Sequence, residues 1–228
     1  MVNLEVVKKS VEEASAKANR KGEVVLMAVS KTHPYEAILE CYNLGQRLFG
    51  ENRVQEVIEK FPPLEKRPEG MFLALIGHLQ KNKVKKIVPF VNRIDSVDSE
   101  ELLALIDKTA ASLAITMDVL FEFNSSGEEQ KSGFRSAEEL LNVVSHLSLY
   151  PHIRLCGIMT VGPLGGDEEK NRAAFRETKE LFDKVKESVP SCTILSMGMS
   201  GDYKIAIEEG STEVRIGTAI FGERNYNV

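Results

Sequence analysis

The chain has 228 residues, 43% hydrophobic and 28% charged, with a formal net charge of −5. That is enough for one large soluble domain with its own core, and the acidic balance argues against a general nucleic-acid binder, which needs a cationic face. No apolar run reaches the roughly 18 residues that cross a membrane, so a membrane partner is not expected either.

The opening MVNLEVVKKSVEEASAKANR mixes carboxylates with lysines and lacks an apolar signal core. It reads as an amphipathic leading helix, and a cytoplasmic location is expected. The first strand is VVLMAVSK (24–31), followed by a helix from Pro34, a residue suited to a first helical position, to about Leu44, with Gly45 as its stop. RLFGEN (47–52) is a second strand and VQEVIEKF its helix; MFLALIG (71–77) is a third and KNKVKKIVPF its helix. The basic run Lys81 to Lys86 within that helix reads as a solvated face, with an RNA or partner contact as the alternative. RIDSVD (93–98) precedes a helix capped by Ser99, and AITMDVLFEFN (114–124) precedes one capped by Ser136. IRLCGIMTV (153–161) leads into a long charged helix, and TILSMG (193–198) and EVRIGT (213–218) bracket the short helix DYKIAIEEG. Cys41, Cys156 and Cys192 are scattered and odd in number, which fits reduced thiols and no metal-ligand or disulfide framework.

Repeated strand–helix units with short connections imply a parallel sheet covered by helices, and eight strands are the number that closes a barrel. The predicted fold is therefore α/β, a single (β/α)8 TIM barrel over residues 1–228 with an extra amino-terminal helix. An open doubly wound sheet is the competing architecture.

In such barrels the functional groups gather at the carboxyl ends of the strands. Here those ends carry Ser30-Lys31-Thr32-His33, Gly50-Glu51-Asn52-Arg53, Gly77-His78-Leu79-Gln80, Ser200-Gly201 and Gly217-Thr218. Ser200-Gly201-Asp202 reads as the opening of a short helix whose N–H groups face an anion, and Gly217-Thr218-Ala219 can turn further N–H groups the same way. Ser200 as a mere cap and Gly217 as a mere turn residue remain the alternative. Alternation in EVRIG turns Val214 and Ile216 outward and Arg215 into the lumen, where a guanidinium needs either a ligand anion or a structural carboxylate. Lys31 has two readings as well: an amine snorkelling to solvent, or one made nucleophilic by a drier rim.

The segments AVSKTHP (28–34), FGENRVQE (49–56), IGHLQKNKVK (76–85), GEEQKSGF (127–134), CGIMTVGP (156–163) and LSMGMSGDYKIAIEEGSTEVRIGTAIFG (195–222) resemble, in order and over nearly the whole chain, the pyridoxal phosphate homeostasis proteins. The resemblance implies the barrel of the amino-terminal half of alanine racemase, a fold-type III pyridoxal phosphate scaffold, without its second domain. It implies Lys31 as the residue that forms a Schiff base with pyridoxal 5′-phosphate, and Asn52 beside the cofactor ring. Ser200, Gly201, Gly217 and Thr218 are implied as the phosphate cradle, Arg215 as the neighbour of the pyridine nitrogen, and His78 as a further residue of the rim. Where the family commonly has Trp-His-Phe before IGHLQ, this chain has Leu73-Ala74-Leu75 and contains no tryptophan.

Pyridoxal phosphate is an electron sink when its ring nitrogen is protonated, and an arginine beside that nitrogen opposes a second positive charge. The resemblance thus implies cofactor retention, buffering and delivery to apo-enzymes that use it, by a monomer without robust catalysis. A racemase-like enzyme and a cofactor-switched interaction protein are the rival readings.

Overall fold

A computed structural model of the protein describes residues 2–222. Its parallel strands close into a barrel in strict chain order, β1 to β8, with β8 pairing back onto β1. They are β1 (Val25–Val29), β2 (Leu48–Glu51), β3 (Phe72–Leu75), β4 (Arg93–Val97), β5 (Met117–Glu122), β6 (Ile153–Met159), β7 (Ile194–Met199) and β8 (Glu213–Ile216). The closing register sets Val25 opposite Glu213 and Met27 opposite Arg215. A closed barrel excludes the open doubly wound sheet.

Helix α1 (Leu4–Lys17) precedes the barrel, and α2 (Tyr35–Asn43), α3 (Val54–Lys60), α4 (Val84–Ile87), α5 (Glu100–Ser112), α6 (Ala137–Ser145), α7 (Glu168–Ser188) and α8 (Tyr203–Glu208) alternate with the strands. A last turn, α9 (Thr218–Phe221), follows β8. Ser99 and Ser136 cap α5 and α6 as expected, each accepting a backbone N–H from three residues on.

Alternation along each strand sorts side chains between the helices and the lumen. Leu26 and Ala28 of β1, Leu73 and Leu75 of β3, and Val214 and Ile216 of β8 belong to the large core under the helices. Met27, Val29 and Ala74 form a separate small cluster on the other side of those strands, in the lumen. The Leu-Ala-Leu departure is thereby absorbed: both leucines are fully buried outside the barrel, and the alanine packs beside Met27 inside it. Lower in the lumen Arg93 holds Asp95 at 2.6 and 2.8 Å and both oxygens of Glu213 at 2.8 Å. Removing Arg93 from so buried a cluster strands two carboxylates, which costs about 3–5 kcal/mol.

Three local expectations are corrected. Pro34 is the extended residue before α2, not its first residue, because its ψ of 160° keeps it out of the helix. KNKVKKIVPF is no continuous helix: only Val84–Ile87 is α-helical, flanked by 3-10 turns at Lys81–Lys83 and Val88–Phe90, the second containing Pro89. Strand β5 begins at Met117 rather than residue 114, since Ala114 sits at φ 54° in the turn that ends α5. Among the described residues Cys41, Cys156 and Cys192 are free, and all three are buried.

Candidate functional site

A cavity of about 240 Å³ opens at the carboxyl ends of the strands. Val29, Lys31 and His33 reach it from the end of β1, Asn52 from the end of β2 and Ile76 from the end of β3. Val161 follows β6, Met199, Ser200 and Gly201 come from β7 and its loop, and Arg215, Gly217 and Thr218 come from β8 and the turn after it. Seven sequence-predicted positions therefore share one wall-to-wall space: Lys31, Asn52, Ser200, Gly201, Arg215, Gly217 and Thr218.

His78 does not join them. Its imidazole Nδ1 lies 3.2 Å from an Asp98 carboxylate oxygen, its side chain is 56% exposed, and it lines a neighbouring cavity with Gln80, Asn82 and Leu102.

The turn that presents Lys31 is tight. Ser30 is fully buried, its hydroxyl donates to Glu51 Oε1 at 2.6 Å, and the His33 N–H donates back to the Ser30 carbonyl at 3.1 Å. Between them Thr32 adopts φ 65°, a left-handed conformation that costs a β-branched residue on the order of 1–3 kcal/mol. Its N–H donates to Glu56 at 2.5 Å. Nothing in the local pattern signals that network, since Glu51 closes a strand and Glu56 lies on the helix that follows it.

On the opposite side the loop after β7 is not a cap. Helix α8 starts at Tyr203 and Ser200 makes no capping bond; instead the Met199 N–H donates to Asp202 Oδ1 at 2.6 Å and folds the loop back. That removes the alternative in which Ser200 merely caps the helix. Gly217 is constrained by close approach: a Cβ there would lie 2.9 Å from the Val29 carbonyl. Gly201 is different, since a Cβ would meet nothing within 4 Å. That open backbone on the cavity wall leaves room for an anion against it.

Arg215 is buried, and its partners are neutral. Nη1 donates to the Ser196 carbonyl at 2.7 Å and hydroxyl at 2.8 Å, and Nη2 donates to the Thr160 carbonyl at 2.6 Å. The structural-carboxylate alternative fails because Arg93 occupies Asp95 and Glu213. Burial lowers the Arg215 pKa, and the surrounding carboxylates of Glu213 and Asp95 push back against that shift. Burial also lowers the His33 imidazole, with the Lys60 charge adding to the effect. Its ring stacks on Phe221 at 5.1 Å, tying the Lys31 turn to α9.

Asn52 Oδ1 is buried without a hydrogen-bond partner among the described residues. An orphaned acceptor on the cavity wall, an amine, an open glycine backbone beside a serine, and a guanidinium together fit a phosphorylated aldehyde with a polar ring.

The alanine racemase N-terminal domain model matches residues 2–225. A pyridoxal phosphate homeostasis protein of Haemophilus influenzae is 38% identical over 228 residues, covering 99% of this chain and 96% of that one. One of Aquifex aeolicus is 41% identical over 224 residues, covering 98% and 96%. Among solved structures, PipY of Synechococcus elongatus with pyridoxal phosphate bound superposes with a TM-score of 0.80 at 34% identity, covering 93% of this chain and 100% of that one. An alanine racemase of Clostridium difficile shares the fold, with a TM-score of 0.73 at 17% identity, covering 99% of this chain and 57% of the racemase. The chain belongs to the alanine racemase N-terminal domain family and, within it, to the pyridoxal phosphate homeostasis proteins.

Proposed function

We propose that this chain binds pyridoxal 5′-phosphate through Lys31 and acts as a store and donor of that cofactor rather than as a robust catalyst. The observation that carries the reading is the shared cavity. It brings Lys31 from the β1 side together with Ser200, Gly201, Arg215 and Thr218 from the β7–β8 side. PipY, whose structure holds pyridoxal phosphate, supports the choice of ligand. Lys31 would supply the amine that holds the cofactor as an imine, with one water released on attachment. Ser200, Gly201, Gly217 and Thr218 hold the phosphate, Asn52 and Arg215 address the ring, and His33 and Val29 shield the amine.

Poor catalysis follows from two features. Arg215 keeps a positive charge in the cavity, which disfavours a protonated ring nitrogen. A racemase also needs a second acid/base, and the two tyrosines nearest in sequence to the predicted rim are engaged elsewhere. Tyr203 shares a hydrogen bond with Ser10 at 2.7 Å, and Tyr35 packs edge-on against Phe61. The recipients on this reading are apo-enzymes, the donor acts as a monomer, and the site of action is the cytoplasm. Among the described residues no helix is long and apolar enough to cross a membrane.

The test is transfer. Loaded protein mixed with an apo-enzyme should activate it faster than the first-order release of cofactor into buffer containing a scavenger. Activation no faster than release would reduce the protein to a passive buffer. Gly201→Ala gives a second check. The methyl group has free space in the fold, so the melting temperature should stay within about 2 °C, while retention of the cofactor falls by about 1–3 kcal/mol as the phosphate is pushed off its donors. Unchanged retention would remove Gly201 from the cradle.

A further inference from the structure

Lys60, the last residue of α3, does not line the cavity, yet its ammonium is nearly buried, with 10% of the side chain exposed. It lies 2.5 Å from Glu51 Oε1 and 3.0 Å from Glu56 Oε1, and donates to the Ser30 carbonyl at 2.9 Å and the His33 carbonyl at 3.1 Å. Those two carbonyls bracket Lys31 and Thr32. The same Glu56 oxygen receives the Thr32 N–H, and the same Glu51 oxygen receives the Ser30 hydroxyl. One cation thus ties both ends of the Lys31 turn to two carboxylates, one on β2 and one on α3.

A buried lysine is costly, and a simple filler at this position would be apolar. The cost is offset here because the turn needs a clasp: Thr32 is held at φ 65° and the chain would otherwise relax out of it. We propose that Lys60 is a positioning residue for cofactor capture. Its ammonium fixes the backbone from Ser30 to His33 so that the Lys31 amine is presented to the aldehyde while the phosphate cradle across the cavity is left untouched. Glu51 is the anchor of the clasp; burial pushes its carboxyl up to about 7 while Lys60 pulls against that shift.

The inference rests on the proposed attachment at Lys31, and the experiment separates the two. Wild type and Lys60→Met are each mixed with pyridoxal 5′-phosphate, and the rate of borohydride-fixable attachment at Lys31 is measured by absorbance and peptide mapping. Each is also titrated with pyridoxine 5′-phosphate, which has the ring and phosphate but no aldehyde. A clasp predicts that Lys60→Met slows attachment at least about tenfold, the equivalent of one lost hydrogen bond to a charged group, while affinity for the aldehyde-free compound stays within about twofold. Equal attachment rates, or a parallel fall in both measurements, would overturn the positioning role, because a general loosening of the site moves both. Absence of attachment in the wild type would instead overturn the reading of Lys31. If Lys60→Met does not fold, Glu56→Ala removes the acceptor of the Thr32 N–H and one of the two anions on the ammonium; the same selective loss is expected, by about threefold, and no loss would refute the clasp.

Discussion

Lys31→Ala is expected to abolish borohydride-fixable pyridoxal phosphate completely while leaving the barrel folded. The amine sits at the end of β1 on a turn that Ser30, Glu51, Glu56 and Lys60 hold with hydrogen bonds of their own, and those bonds survive the substitution. The fold should tolerate the loss, with the melting temperature moving by no more than about 4 °C, the equivalent of about 1 kcal/mol. The residues proposed to hold the phosphate, Ser200, Gly201, Gly217 and Thr218, follow other strands, β7 and β8. Binding of pyridoxine 5′-phosphate should therefore persist within about twofold, about 0.4 kcal/mol. A variant that still fixed cofactor would place the attachment on another lysine. One that lost the aldehyde-free compound as well would show that Lys31 grips the phosphate rather than the aldehyde.

The barrel was legible because its signals are local and repeated. Apolar runs alternate with helix-period segments, Ser99 and Ser136 mark helix starts, and the parity of Val214, Arg215 and Ile216 puts the arginine inside. What went astray was also local. Proline and the 3-10 turns around it broke the Lys-rich helix, and the start of β5 shifted because a helix end with Ala114 at positive φ resembles a strand start in composition. The motifs AVSKT, FGEN, MSGD and VRIGT each contribute residues to the cavity wall, as their places at strand ends imply. His78 shows the limit of that reading. Lying past the end of β3 assigns it to the rim, but only packing decides which of two neighbouring cavities it faces, and Asp98 draws it to the other one. Lys60 was invisible for the converse reason. A lysine closing an amphipathic helix looks solvated until the turn from Ser30 to His33 is folded against it.

The largest effect on the fold should come from Arg215→Glu. From sequence, the exchange looks like a change of charge beside the ring nitrogen. In the barrel it also removes three hydrogen bonds, two of them to the carbonyls of Ser196 and Thr160, and faces a carboxylate against those same oxygens. Glu213, Asp95 and Glu122 already bring negative charge to the site, so burial and repulsion both raise the pKa of the new carboxyl. The expected cost is about 3–5 kcal/mol, a large share of a typical stability of about 5–15 kcal/mol, and the melting temperature should fall by about 6–20 °C. Cofactor binding returns part of that stability through linkage. In the loaded variant the electrostatic argument has its own readout: with the guanidinium gone and a carboxyl in its place, the ring nitrogen protonates more readily, and exchange of the α-proton of bound amino acids with solvent should rise by about tenfold, equivalent to about 1.4 kcal/mol. Arg215→Gln separates the two effects, because its amide can still donate to one carbonyl without adding an anion. It should melt between wild type and the glutamate variant and show a smaller gain in exchange. A glutamate variant that folds, binds cofactor and exchanges no faster than wild type would mean that Arg215 serves the barrel and not the chemistry of the ring.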